Sequence, residues 1–129
     1  TKCLHIVDYK STSQKSNKGP ITLDDPWKAS YKRQMDLYVW VLRKKGFYVD
    51  DIGYFLYCDG DRFSEYDFLS STSASMSFKM TLIDYQTEVA WIEPTLTEIN
   101  DCLNERDRPE HSEYCEYGKF LDQSSNKGT

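Results

Sequence analysis

The sequence predicts an α/β fold, a mixed β-sheet flanked by helices. Three observations predict it. The apolar run Cys3-Leu4-His5-Ile6-Val7-Asp8-Tyr9 has the length and composition of a strand. A long stretch opening at Asp25-Pro26 and closing at Gly46 carries apolar residues at helical spacing. Beyond it, alternating segments precede a second helical pattern, so the order reads strand, helix, hairpin plus a further strand, helix.

Residues 3–9 place Leu4, Ile6 and Asp8 on one face and Cys3, His5, Val7 and Tyr9 on the other. With both faces partly apolar, this reads as an interior strand, with His5 packed or edge-exposed. Residues 11–25 are rich in Ser, Thr, Asn and Lys, punctuated by Gly19-Pro20, and predict a loop. Asp25 is placed as N-cap and Pro26 as first helical residue. Tyr31, Met35, Tyr38, Val41 and Leu42 recur at helical spacing. Arg43, Lys44 and Lys45 complement the dipole in the last turn, and Gly46 stops the helix. Ile52 to Cys58 reads as a strand, Asp59-Gly60-Asp61 as a turn, and Arg62 to Leu69 as the hairpin partner. A calcium loop at Asp59 and Asp61 would lack its remaining ligands. Phe78 to Tyr85 alternates with Phe78, Met80 and Leu82 on one face. Residues 88–106 form the second helix, with Ile92, Leu96, Ile99 and Leu103 at helical intervals and Pro94 near the start. From Arg108 onward the pattern fades; His111 has no clear partner there. The predicted division is one domain over 1–123 and a flexible tail over 124–129.

The bulk numbers bound the function. A length of 129 residues suits one modest core. A net charge of −5 argues against a highly basic nucleic-acid module, but leaves room for acidic metal ligands beside a locally basic patch. No apolar run approaches the roughly 20 residues that cross a bilayer. Cys3, Cys58, Cys102 and Cys115 are widely and irregularly spaced. That excludes a CxxC pair and points to reduced thiols and a cytoplasmic location. The chain opens at Thr1 and runs straight into a strand, so it is read as a piece of a longer polypeptide.

Two constellations carry chemistry. In Asp8-Tyr9-Lys10 the period-2 geometry puts a carboxylate and an ammonium on one face, with the Tyr9 carbonyl between them. A carboxylate and a carbonyl are the hard oxygen ligands that Mg²⁺ or Mn²⁺ takes. A cation beside them can orient water or offset phosphate charge. On the following helix, Gln34 and Tyr38 are four apart and share a face with Tyr31 and Val41, which is placed against the sheet. Without the strand motif this would be an ordinary amphipathic helix. Lys15 and Lys18 in the loop, with Lys28, Lys32 and Arg33 at the helix start, read equally as DNA phosphate contacts or as a solvated surface.

Together, Ile-Val-Asp-Tyr-Lys-Ser-Thr (6–12) and Tyr-Lys-Arg-Gln-Met-Asp-Leu-Tyr-Val-Trp-Val-Leu (31–42) resemble the RecB-like, Cas4-like branch of the PD-(D/E)XK nucleases. That branch has a [DE]-x-K strand followed by a helix carrying Q-x-x-x-Y. The resemblance implies a partial restriction-endonuclease-like core and a DNA-processing, repair or phage-related nuclease. It implies Asp8 as metal ligand, Lys10 as catalytic lysine, and Gln34 and Tyr38 beside the active site. The Tyr9 carbonyl would join Asp8 on Mg²⁺ or Mn²⁺, and DNA would be the partner. Two departures follow. The family's upstream metal-binding Asp precedes the region matched here, so the metal site is expected to be incomplete and this piece alone inactive. Many relatives end in an iron–sulfur cysteine cluster. Here Pro109–Tyr117 keeps only Cys115, with Ser112 at the first cysteine position and Leu121 at a later one, so no Fe–S cluster is expected. The alternative is a non-catalytic, nuclease-derived DNA-binding or assembly module.

Overall fold

The computed structural model describes residues 2–14, 19–62, 70–107 and 109–125. Its elements are β1 (Val7–Thr12), α1 (Ala29–Lys44), β2 (Ile52–Gly60), β3 (Phe78–Gln86), α2 (Ile92–Asn104) and α3 (Glu116–Ser125). The sheet runs β1-β2-β3, with β1 parallel and β3 antiparallel to β2. This is the mixed sheet of an α/β fold. A parallel β1–β2 pair requires a crossover, and α1 provides it. The chain divides into two compact units, Thr1–Ile92 and Glu93–Thr129.

In the first unit, the inward face of β2 is Gly53, Phe55 and Tyr57, all buried. Phe55 and Tyr57 meet Met35 of α1, with Ile21 and Leu23 from the preceding loop completing the core. Gly53 is needed because Met35 lies against it: a Cβ there would fall 2.5 Å from Met35 Sδ. On the outer face of the sheet, Val7 and Tyr9 of β1 and Phe78, Met80 and Leu82 of β3 are exposed.

Several expectations change. The first strand starts at Val7 and extends to Thr12, into the expected loop, while Leu4 makes an isolated parallel bridge to Val49. Among the described strands β1 lies at the sheet edge and β2 is the interior strand. Both edges of β2 are taken, by β1 and β3; most of the hairpin partner expected over 62–69 lies outside the described residues. Pro26 opens a short 3₁₀ turn over Pro26–Lys28 rather than α1 itself. Asp25 holds the extended N-cap backbone, but its side chain makes no cap bond; it pairs with Lys28 at 2.8 Å.

The buried stripe of α1 is Met35, Asp36 and Val39, while Tyr38 and Val41 are exposed. The helix is rotated from the purely apolar expectation because Asp36 has partners inside. Its carboxylate accepts from the Glu88 backbone N–H at 2.9 Å, Trp91 Nε1 at 3.0 Å and the Tyr85 hydroxyl at 3.4 Å. A buried anion with three donors is satisfied where a lone one would be costly. Gly46 ends the helix as expected, with φ +88°.

The helix α2 begins at Ile92, the last residue of the first unit, and continues through the second with Pro94 in its first turn, where a missing N–H costs nothing. The structure adds α3, which the fading pattern hid. Here His111 has a partner after all: Nε2 lies 3.1 Å from Asp122, and its ring fills the space beside Gly118. No helix among the described residues is long and apolar enough to cross a membrane.

Candidate functional site

β1 turns Asp8, Lys10 and Thr12 toward α1 and leaves Val7, Tyr9 and Ser11 on the exposed side. The two motif residues therefore lie under the helix, each side chain 16% exposed, with Lys10 Nζ 2.9 Å from Asp8 Oδ2. Lys10 Nζ also donates to Gln34 Oε1 at 3.0 Å and sits 4.1 Å above the Tyr31 ring. Gln34 Nε2 in turn donates to the Tyr38 hydroxyl oxygen at 2.6 Å. The polarity of this chain follows from its first member. An ammonium only donates, so it takes the amide oxygen of Gln34 and directs the NH₂ outward. The Tyr38 oxygen is then the acceptor, and its own proton is available to a group outside. The structure thus brings Asp8, Lys10, Gln34 and Tyr38 into one continuous array, with i,i+4 spacing on α1 meeting i,i+2 spacing on β1.

The ladder phase orients the Tyr9 carbonyl. Tyr54 N–H donates to the Ile6 carbonyl at 2.9 Å, with Val7 opposite Tyr54. In a parallel ladder successive residues alternate sides, so the backbone groups of Ile6, Asp8 and Lys10 turn to β2. Those of Tyr9 turn to the outer edge of β1.

Sequence reasoning missed Tyr57, which stands opposite Lys10 on β2. Its hydroxyl is buried without a hydrogen-bond partner among the described residues. Burial raises its pKa, followed by the negative charge its neighbours Tyr31, Asp8 and Asp25 bring to bear. Asp8 Oδ2 is likewise sealed from solvent, facing the Lys10 ammonium outside hydrogen-bond geometry. Asp8 Oδ2 keeps the Lys10 ammonium 2.9 Å away as its ion-pair partner, which leaves the Tyr57 hydroxyl, opposite Lys10, as the group without one among the described residues. An inward-facing aromatic on a strand is ordinarily core; only the cross-strand register marks Tyr57 as a site residue.

These observations test the fit of the expected Mg²⁺ or Mn²⁺. Asp8 and the Tyr9 carbonyl are hard oxygen donors, and an Mg²⁺ site with one or two carboxylates is common where waters and phosphates complete it. The residues present therefore fit as an anchor. No set of three acidic, His or Cys ligands gathers around Asp8 among the described residues.

The basic residues separate. Lys28 is buried; its ammonium holds Asp25 at 2.8 Å and donates to the Thr22 carbonyl at 2.5 Å. That placement does not suit a phosphate contact: Lys28 serves the fold. Lys32 is half-buried and Arg33 exposed on α1, while Lys15 and Lys18 lie outside the described residues.

A second cluster is on the other side of the chain. Cys3, His5 and Asp50 bring one ligand atom each within 4.8 Å of one another. Asp50 Oδ2 lies 3.8 Å from both Cys3 Sγ and His5 Nδ1. Partial burial pushes the Cys3 thiol up, and Asp50 pushes it further by charge and hydrogen bond.

Compared with known protein families, curated proteins and solved structures, the chain shows no significant match. The array itself therefore carries the functional reading.

Proposed function

We propose that this chain is the catalytic-core part of a metal-dependent DNA nuclease of the RecB-like PD-(D/E)XK type. The observation that carries the reading is the continuous array Asp8–Lys10–Gln34–Tyr38, in which the four residues marked out by the family resemblance lie in contact. Asp8 and the Tyr9 carbonyl would hold Mg²⁺ or Mn²⁺, which when bound supplies Lewis-acid activation of water and neutralises phosphate charge. Lys10 places a fixed positive charge where a phosphate gains negative charge in the transition state. Gln34 holds that ammonium and orients Tyr38, whose free hydroxyl proton can bind a phosphate oxygen. The hydrolysis adds water across a phosphodiester P–O bond, giving a phosphomonoester and an alcohol.

One observation favours the second reading, a non-catalytic nuclease-derived module. Lys10 is already matched by Asp8, Gln34 and the Tyr31 ring, so the array is self-consistent without substrate.

The test starts from Mn²⁺ added to ¹⁵N-labelled chain. The expected result is selective broadening of amides flanking Asp8, lost in Asp8→Asn. Cleavage of single- and double-stranded DNA is then measured with Mn²⁺ or Mg²⁺ in the longer polypeptide of which this chain is proposed to be the catalytic-core part, with Lys10→Ala lowering the rate at least about 100-fold. No broadening near Asp8 refutes the metal site, and broadening without turnover selects the non-catalytic module.

A further inference from the structure

We propose that Cys3, His5 and Asp50 form a site for a borderline divalent cation of the Zn²⁺ class, tying the first residues of the chain to the loop between α1 and β2. The inference is independent of the nuclease reading and uses none of its residues.

The backbone builds the site. Cys3-Leu4-His5 is extended, so residues two apart project to the same side. Leu4 is fixed between them by its bridge to Val49: its N–H donates to the Tyr48 carbonyl at 2.9 Å, and its carbonyl accepts from Asp50 N–H at 2.9 Å. This brings Asp50 beside both side chains across 45 or more positions of sequence. The carboxylate is also oriented. Asp50 Oδ1 accepts from the Ile52 N–H at 2.8 Å, which leaves Oδ2 toward the thiol and the imidazole.

The distances are close to those of coordination. Tetrahedral zinc, with Zn–S of about 2.3 Å and Zn–N or Zn–O of about 2.0–2.2 Å, separates its donors by roughly 3.3–3.6 Å. The observed 3.8 Å separations are a few tenths of an ångström wider. The third separation, between the Cys3 and His5 donors, lies within 4.8 Å, so closing on an ion calls for rotation of these side chains toward Asp50. A thiol, an imidazole and a carboxylate form a mixed S, N, O set, which selects Zn²⁺ over Mg²⁺ or Ca²⁺. Three protein ligands leave the fourth tetrahedral position to water, and the half-exposed His5 side chain lets solvent reach it. Arg43, the nearby cation, is anchored away to Asp51 at 2.6 Å and the Val49 carbonyl at 2.7 Å.

The test is titration of the full chain with Co²⁺ as a spectroscopic stand-in, then displacement by Zn²⁺. The expected result is one ion per chain, a thiolate-to-cobalt charge-transfer band, and visible bands of tetrahedral strength. Losing an outer-shell partner already weakens a metal site by roughly 10–100-fold, so Cys3→Ser and Asp50→Asn should each cost at least that. Asn at 50 keeps the carbonyl that accepts from Ile52, so folding is a small risk. The triple variant C58S/C102S/C115S should retain the full signal. Binding unchanged by Cys3→Ser, binding lost in the triple variant, or a spectrum without the thiolate band would each overturn the proposal.

Discussion

Replacing Asp36 with Ala should unlock α1 from the segment that follows β3. The carboxylate, 3% exposed, binds the Glu88 N–H at 2.9 Å and Trp91 Nε1 at 3.0 Å, with the Tyr85 hydroxyl at 3.4 Å. A hydrogen bond to a charged group is worth about 1.5–3 kcal/mol. Counting the two short ones gives about 3–6 kcal/mol. Two effects reduce this. Removing the buried charge removes its desolvation cost, and Glu88 is exposed enough for water to satisfy its N–H. The net expectation is a loss of about 2–4 kcal/mol, or roughly 10 °C in the melting midpoint for a chain of this size. Because the chain has two compact units, a far-UV signal mixes them. The Trp91 indole N–H resonance reports the first unit alone. In Asp36→Ala it should shift upfield at low temperature and then disappear early on heating. A midpoint within about 2 °C of wild type, with the indole signal unmoved, would refute the reasoning. The cycle with Trp91→Phe then isolates the bond itself, with a coupling of about 1–2 kcal/mol.

Tyr85 is pushed up to about 12, first by burial and then by the Asp36 charge and hydrogen bond. A raised folded pKa means its stabilisation is intact below pH 10 and lost as pH climbs toward 12; tyrosinate absorbance should show a late-titrating phase that vanishes in Tyr85→Phe. Gly53→Ala should cost about 1–3 kcal/mol in urea unfolding, because the new methyl meets the Met35 thioether; the same substitution should cost less when introduced into a Met35→Ala background, and full tolerance of G53A would show that the packing is looser than described. Tyr38→Phe removes only the outward proton and the acceptor for Gln34, so any DNA affinity should fall about 3–10-fold with no more than about 0.5 kcal/mol change in stability, read by fluorescence anisotropy and thermal melting.

The motif pairs were legible because each rests on a local period. Two residues apart on a strand and four apart on a helix are fixed by backbone geometry, so Asp8 with Lys10 and Gln34 with Tyr38 could be paired before any contact was known. That the pairs would meet each other depended on the helix crossover, and the α/β order implied it. The rest turned on long-range pairing. Tyr57 became a site residue through its register opposite Lys10. The stripe of α1 was misjudged because a charged residue, Asp36, went inward, which hydrophobic periodicity counts as an outward position. Asp25 looked like a cap and became an ion-pair partner, since Lys28 could reach it one turn on. The helix α3 has scattered apolar residues, a glycine at 118 and serines at 124 and 125, so its period is faint.

The alternation of one extended segment also separates two kinds of donor. Asp8 and Lys10 turn toward α1; by the same period Cys3 and His5 project to the opposite side. The first side offers oxygen atoms, the second sulfur and nitrogen with one oxygen. Hard cations seek the first set and borderline cations the second, so the two proposed sites should respond independently. One equivalent of Zn²⁺ per chain, enough to fill the sulfur and nitrogen site first, should leave Mn²⁺ broadening around Asp8 unchanged, and Cys3→Ser should alter the Co²⁺ spectrum without touching the Mn²⁺ effect. If that single equivalent of Zn²⁺ displaced the Mn²⁺ in the wild-type chain, the two faces would be sharing one site, and the separation of donors along residues 3–10 would be wrong. The assignment of sides therefore stands or falls on a competition experiment that needs neither DNA nor activity.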